Sequence, residues 1–486
     1  MNSEYSTPTI QGRAVPAPES QQYSNKSPYR APHLDETFNN EEQINLHNNV
    51  QSPQQQPKEF QDAIWALVFV LHLGIMAFVI SASIIANNDG GGDDSGGSYN
   101  GLIVLVSMMG LLSIGLSSAT IILMMKYPTA MVKSGLVFSA VLSGAMAIMF
   151  LMSGDLYMIL LGAFFFMVTM CYVASVWKRI PYAAANLNTA LNAVKSNAGL
   201  GLVAYLIMAL AFGWTGLWMM GIANSLATSN AGIVFLLFVS YYWTFGVLTN
   251  TIHVTTAGTV GTWWFVPHEA NRCWSSAIRD SFCRATTYSF GSICLGSLLV
   301  AVVQALRMMA RRARESDDMQ LLLCLVECIL ACIQDIVEYF NKWAYVYVGL
   351  YGFGYIEAGR NVIQLFQSKG WTTIITDDLA DRVLLMMSIA VGAIIGLIGM
   401  AIAAANPNLL ADLGLEEGSS IAVTAFLVSF LVGLTFCSIL MSVVGSAVNT
   451  IIVCFAESPG EFETNHPELS REMRAAWAQA WPELTI

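Results

Sequence analysis

Charge is the first thing in short supply. Asp, Glu, Lys and Arg make up 11% of the 486 residues, against about 25% in a typical soluble domain. So little charge cannot clothe a water-facing surface. Hydrophobic residues fill 55% of the chain instead, which suits helices that show apolar side chains to lipid as well as to one another. Lys and Arg number 22, lie scattered between apolar runs and leave a net charge of -11. With no clustered basic surface to meet phosphates, nucleic acid is excluded as a partner. The nine cysteines, Cys171, Cys273, Cys283, Cys294, Cys324, Cys328, Cys332, Cys437 and Cys454, sit mostly within or beside apolar runs and form no disulfide framework. The six histidines never pair at metal-ligand spacing, and His72 and His253 read as isolated, hydrogen-bonded structural residues. Neither a metal nor a cofactor is expected. An intramembrane enzyme would need a His, Asp or Glu pair poised for acid–base work, and none is visible, so no catalytic residue is assigned. The glycines of 352–359 (GFGYIEAG) lack the G-x-G-x-x-G spacing and suit close helix packing better.

Long apolar runs are what the chain does have. Residues 63–86 form the first one, long enough to cross a hydrocarbon core of about 30 Å, which takes about 20 residues. Further runs follow at 101–125, 129–152, 156–177, 198–220, 230–252, 285–308, 343–366, 382–405 and 420–453. The fold class is therefore all-α, a polytopic membrane protein of about ten transmembrane helices plus interfacial amphipathic helices. Residues 61–456 form the transmembrane domain. Residues 1–60, rich in Gln, Asn, Ser and Pro, read as a disordered cytosolic tail without a cleavable signal peptide, and 457–486 as a second cytosolic tail.

Lys and Arg in short loops favour the cytosolic side. With the amino terminus inside, inner loops hold Lys126, Lys133, Lys178, Arg179, Lys195, Arg272, Arg279, Arg284 and Lys369, while 87–100, 153–155, 221–229 and 406–418 hold none. One stretch disobeys. Arg307, Arg311, Arg312 and Arg314, with Lys342, fall between the seventh and eighth runs and would lie outside. Either 319–342 lies along or re-enters the membrane, or 247–265 and 319–334 are two extra crossings, an option that exports Arg272, Arg279 and Arg284 instead. Segment 181–196, too polar to span, is expected as an interfacial helix. Loop 87–100 reads as a flexible acidic linker. Cys324, Cys328 and Cys332, every fourth residue on one face, mark membrane-surface packing or acylation ahead of a metal site.

Two segments carry candidate binding residues. In Tyr241–Phe265, aromatic pairs flank a middle rich in Thr and Gly, as in the broken helices of transporters; Trp243, Asn250, Trp263 and Trp264 are its candidates. Small-residue packing with an interfacial Trp belt is the competing reading. In Ala344–Asn361, Tyr347, Tyr351 and Tyr355 repeat every fourth position as one face. Aromatic faces attract quaternary ammonium groups by about 0.5–2 kcal/mol each. Glu357 offers a counter-charge, unless Arg360 simply neutralises it in an ion pair.

Over nearly the whole membrane region the sequence resembles the choline transporter-like proteins, most of all their fungal and protist branch. The resemblance rests on the order and spacing of FQDAIWALVFVLHL (60–73), WKRIPYAAANLNTA (177–190), NTIHVTTAGTVGTWWF (250–265), GSICLGSLLVAVVQALR (291–307), NKWAYVYVGLYGFGYIEAGRNVIQLFQSKG (341–370), and VNTIIVCFAESPGEF with HPEL (448–469). It implies a transporter of about ten crossings with both termini in the cytosol, and, for the animal members, choline or a related amine as substrate. Loop 87–100 departs from the pattern, being short and without cysteine where the animal proteins carry a long disulfide-bearing loop. The expected protein is thus a plasma-membrane carrier, working by facilitation or exchange, whose partners are the lipid bilayer and a small organic cation such as choline. A carrier or channel for another solute or lipid, and a membrane-embedded enzyme, stand as the alternatives.

Overall fold

The computed structural model describes residues 58–89, 100–227, 231–316, 320–371, 379–406 and 419–482. The amino-terminal tail to residue 57 and the Gly-rich part of loop 87–100 fall outside them. Among the described residues the structure is helical, without a strand. The helices are α1 (Ala63–Asp89), α2 (Asn100–Lys126), α3 (Pro128–Met152), α4 (Leu156–Val176), α5 (Ile180–Ser196), α6 (Gly199–Ala227), α7 (Ala231–Phe265), α8 (Ser276–Thr286), α9 (Phe290–Ser316), α10 (Gln320–Tyr351), α11 (Tyr355–Ser368), α12 (Leu379–Ala405), α13 (Ser419–Glu457), α14 (Pro459–Asn465) and α15 (Pro467–Ala480).

Local chemistry sets many of these boundaries. Pro128, which has no N–H to donate, opens α3 directly after Tyr127. Asp155 caps α4 by accepting from the Tyr157 amide at 2.9 Å. Among the described residues eight segments are both long and apolar enough to cross a membrane. Two more helices have the length: α1 with 27 residues and α10 with 32, about 40 and 48 Å at about 1.5 Å per residue. The outer ring confirms the solvent, since Met152 is 82% exposed, Leu156 69% and Met167 60%, a display that only lipid tolerates.

Segment 247–265 is not an extra crossing: it continues α7, a single helix of 35 residues. Residues 320–342 form the first part of α10, one continuous helix to Tyr351 that runs antiparallel along α9. Part of the arginine cluster meets the facing arm of that hairpin. Arg311 Nε lies 2.5 Å and Arg314 Nη1 3.0 Å from the carboxylate of Glu327, and Arg307 donates to Gln334. α10 ends at Tyr351 and α11 starts at Tyr355, so 343–366 is not one continuous helix. Cys324, Cys328 and Cys332 lie exposed on this helix.

α5 also departs from expectation. It is buried on most sides, with Tyr182, Leu187, Ala190 and Leu191 at 3% exposure or less. One of its polar groups meets protein rather than water: Asn186 Oδ1 accepts from the Trp477 indole at 2.8 Å. The carboxy-terminal residues are therefore a docked element, with Phe462, Met473 and Trp477 fully buried. Elsewhere α7 and α10 cross in backbone contact. A Cβ on Gly349 would stand 2.7 Å from the Val254 carbonyl oxygen, and one on Gly258 2.9 Å from that of Gly349, so the crossing needs glycine on both sides.

Candidate functional site

The tyrosine repeat of α10 is interrupted where the sequence predicts one continuous face. Gly352 takes a left-handed φ of 70°, its amide closes on the Val348 carbonyl at 3.0 Å, and the helix stops at Tyr351, as glycine beyond a last turn commonly does. The chain restarts as α11 at Tyr355, so Tyr355 does not extend the face. Its hydroxyl donates to Asn341 Oδ1, and its ring packs on Phe340 and Tyr345, with centroids 5.3 and 5.9 Å away.

In its place the break supplies Phe353, which folds back on the end of α10. Tyr347 and Tyr351 meet edge to face at 5.2 Å, and Phe353 lies 6.4 Å from Tyr347 and 5.9 Å from Tyr351. Tyr347 is 5% exposed and Tyr351 8%. The last residue of α13, Glu457, completes the group: Tyr351 donates to its Oε2 at 2.5 Å. Three rings and one carboxylate from three elements thus converge at a helix break. Rings present electron-rich faces, and a carboxylate supplies the opposite charge, the combination that recognises a cation with no N–H to offer. Glu357, the sequence candidate for counter-charge, is exposed, and no ion pair joins it to Arg360 among the described residues.

The remaining candidates lie apart from this cluster. Trp243 donates its indole N–H to the Cys294 carbonyl at 2.9 Å and stacks near His72 and Phe69. Asn250 donates to Ser297 Oγ at 2.9 Å, and Ser297 stands 3.5 Å from the Tyr345 hydroxyl. One turn on, His253 Nδ1 pairs with Ser446 Oγ at 2.9 Å, so α7 carries a polar seam towards α9, α10 and α13. Trp263 and Trp264 form no lipid-facing belt. They are buried at 3% and 0% exposure beneath the carboxy-terminal helices. His466 stacks on Trp263 at 3.9 Å, Phe462 on Trp264 at 4.1 Å, and Trp264 donates to the Ser458 carbonyl at 3.2 Å. Burial lowers the pKa of His466 from the usual 6.5.

Sequence reasoning missed Glu457, Phe353 and the ion pair of Lys342 with Asp381, at 2.6 Å between α10 and α12. Glu457 stood at the boundary assigned between bundle and tail. The signal for it was the apolar run that leads to it, IIVCFA at 451–456, which ends at an acid and Ser458-Pro459 rather than at a basic residue.

The family profile described as "Plasma-membrane choline transporter" matches residues 158–460, a stretch that holds all four members of the cluster. The chain is 29% identical over 463 residues to Protein PNS1 of Mycosarcoma maydis, covering 87% of this chain and 84% of that protein. It is 31% identical over 319 residues to Protein PNS1 of Gibberella zeae, covering 61% and 58%. To a CTL-like protein of Dictyostelium discoideum it is 24% identical over 453 residues, covering 89% and 78%.

Proposed function

Because this chain belongs to the choline transporter-like family, we propose that it carries choline or a related small organic cation across the plasma membrane, by facilitated or exchange transport. Both termini would lie in the cytosol, with the Tyr351–Glu457 cluster near the inner end of the bundle. The observation that carries this reading is the half-buried carboxylate of Glu457, held by Tyr351 beside two further aromatic rings.

Each part has a share in the chemistry. A quaternary ammonium group cannot donate a conventional hydrogen bond, so its recognition falls to ring faces and to charge. In the closed arrangement Tyr351 donates to Glu457, so the carboxylate is not left unpaired when no cation is present. An arriving cation replaces that partner. The rings must part to admit it, and the non-helical residues Gly352–Gly354 let Phe353 move without unwinding α10. The polar seam of Asn250, Ser297, His253 and Ser446 gives the cation hydroxyl and amide contacts along the bundle.

Uptake of labelled choline into proteoliposomes containing this protein alone tests the reading. Saturable uptake, inhibited by tetramethylammonium and much less by the neutral isostere 3,3-dimethylbutanol, is the expected result. Uptake no faster than in protein-free vesicles would overturn the substrate class.

A further inference from the structure

The cluster sits at a break in the chain, and a break of this kind needs something to fix its shape. α11 is preceded by Gly354 at its N-cap, whose missing side chain leaves the helix without a cap of its own. The first amides of a helix need acceptors. One acceptor arrives from the other end of the sequence: Asp62 Oδ2 accepts the Tyr355 amide at 2.8 Å and the Ser292 hydroxyl at 2.6 Å.

That use of Asp62 is unusual for its position. It immediately precedes α1, where an aspartate ordinarily turns its carboxylate onto the amides of its own helix. Here only its backbone serves α1, with the Trp65 amide donating to the Asp62 carbonyl at 2.9 Å. Its φ of 52° is left-handed, a conformation non-glycine residues seldom adopt, and the carboxylate is spent on α9 and α11 instead. The neighbouring backbone is pinned as well. The Gln61 amide donates to the Tyr288 carbonyl at 2.9 Å, Phe60 meets the Tyr288 ring at 5.1 Å, and a Cβ on Gly291 would collide with the carbonyls of Gln61 and Asp62.

We propose that Asp62 is a positioning residue for the cation site: it caps α11 from across the bundle and so holds the Gly352–Gly354 break, and with it Phe353 and Tyr351, in the geometry that faces Glu457. The junction joins the start of α1, the start of α9 and the α10–α11 break at one point. Release of the Tyr355 amide frees the break to open, and its recapture closes it. This rests on the cation reading of the Tyr351–Glu457 cluster.

The test uses the full-length protein in nanodiscs and in cells, with Asp62→Ala and Asp62→Asn. The first readout is deuterium exchange of the amides at 355–358. Loss of a cap corresponds to about two- to thirty-fold faster exchange, expected for Ala but not for Asn, which keeps an acceptor oxygen for both donors. The second readout is choline uptake per molecule at the surface. Asp62→Ala should raise the half-saturating concentration at least threefold, whereas Asp62→Asn should stay within twofold of wild type. A merely structural aspartate would reduce delivery without moving half-saturation. Unchanged exchange in Asp62→Ala overturns the cap. Faster exchange with unchanged half-saturation, in a preparation where Tyr351→Leu does raise it, overturns the positioning role and leaves the cluster standing. If wild type does not transport choline, the substrate reading alone fails, and the exchange readout still supports or overturns the cap.

Discussion

Replacing Tyr351 by Leu keeps much of the apolar bulk at a position 8% exposed and removes both the ring face and the hydroxyl that holds Glu457. A ring face contributes about 0.5–2 kcal/mol to binding a quaternary ammonium group, which at about 1.4 kcal/mol per tenfold is about a two- to thirty-fold rise in half-saturating choline. Phe at the same position separates the two losses. It keeps the ring and removes only the donor that Glu457 uses in the closed state, so half-saturation should stay within about threefold of wild type on the same scale. Glu457→Gln tests charge alone. An ammonium about 5 Å from the carboxylate gains up to about 3 kcal/mol at an effective dielectric constant of about 20, so choline should weaken by up to about 200-fold while 3,3-dimethylbutanol is little affected. The assay is concentration-dependent uptake normalised to surface-labelled protein, with the neutral isostere as competitor. Unchanged half-saturation in delivered Tyr347→Leu, Tyr351→Leu and Phe353→Leu would refute the reasoning, as would Glu457→Gln weakening the charged and neutral ligands equally.

Trp477→Ala removes a fully buried indole and strips Asn186 of its donor; a loss of about 3–5 kcal/mol is expected, read as a lower melting temperature in detergent. His466 has a folded-state pKa below 6.5 because burial disfavours its charged form. Its contribution to docking of the tail is therefore full above about pH 6.5 and is lost as pH falls towards the lower folded value. Protease sensitivity of residues 459–480 should rise over that interval in wild type and much less in His466→Gln; an equal rise in both would exclude His466 as the cause. For orientation, a tag at residue 94 should be reached from outside intact cells, and tags at either terminus only after permeabilisation; outside labelling of either terminus would reverse the assignment.

The membrane class and the crossing helices were legible because they depend on local properties, namely length, hydropathy and the Lys126-Tyr127-Pro128 type of break. Tyr347 and Tyr351 were legible as partners because one helical turn separates them. Tyr355 was not separable from them by spacing, since a fourth-residue repeat reads the same whether or not Gly352 turns the chain out of its helix. Glu457 lies 106 residues from Tyr351, and Asp62 lies 293 from Tyr355; no periodicity reaches that far. The contacts of Arg311 and Arg314 with Glu327 and of Arg307 with Gln334 were hidden for a related reason, because these partners stand on the returning arm of a hairpin.

The docked carboxy-terminal helices also set an order of events during synthesis. Every helix of crossing length is complete once Glu457 has been made, yet Asn186, the Trp264 indole and the Trp263 ring receive partners only from Ser458, Phe462, His466 and Trp477. α14 and α15 supply these partners, so the contacts that cover Asn186, Trp263 and Trp264 form only after the segment beyond Glu457 has been made.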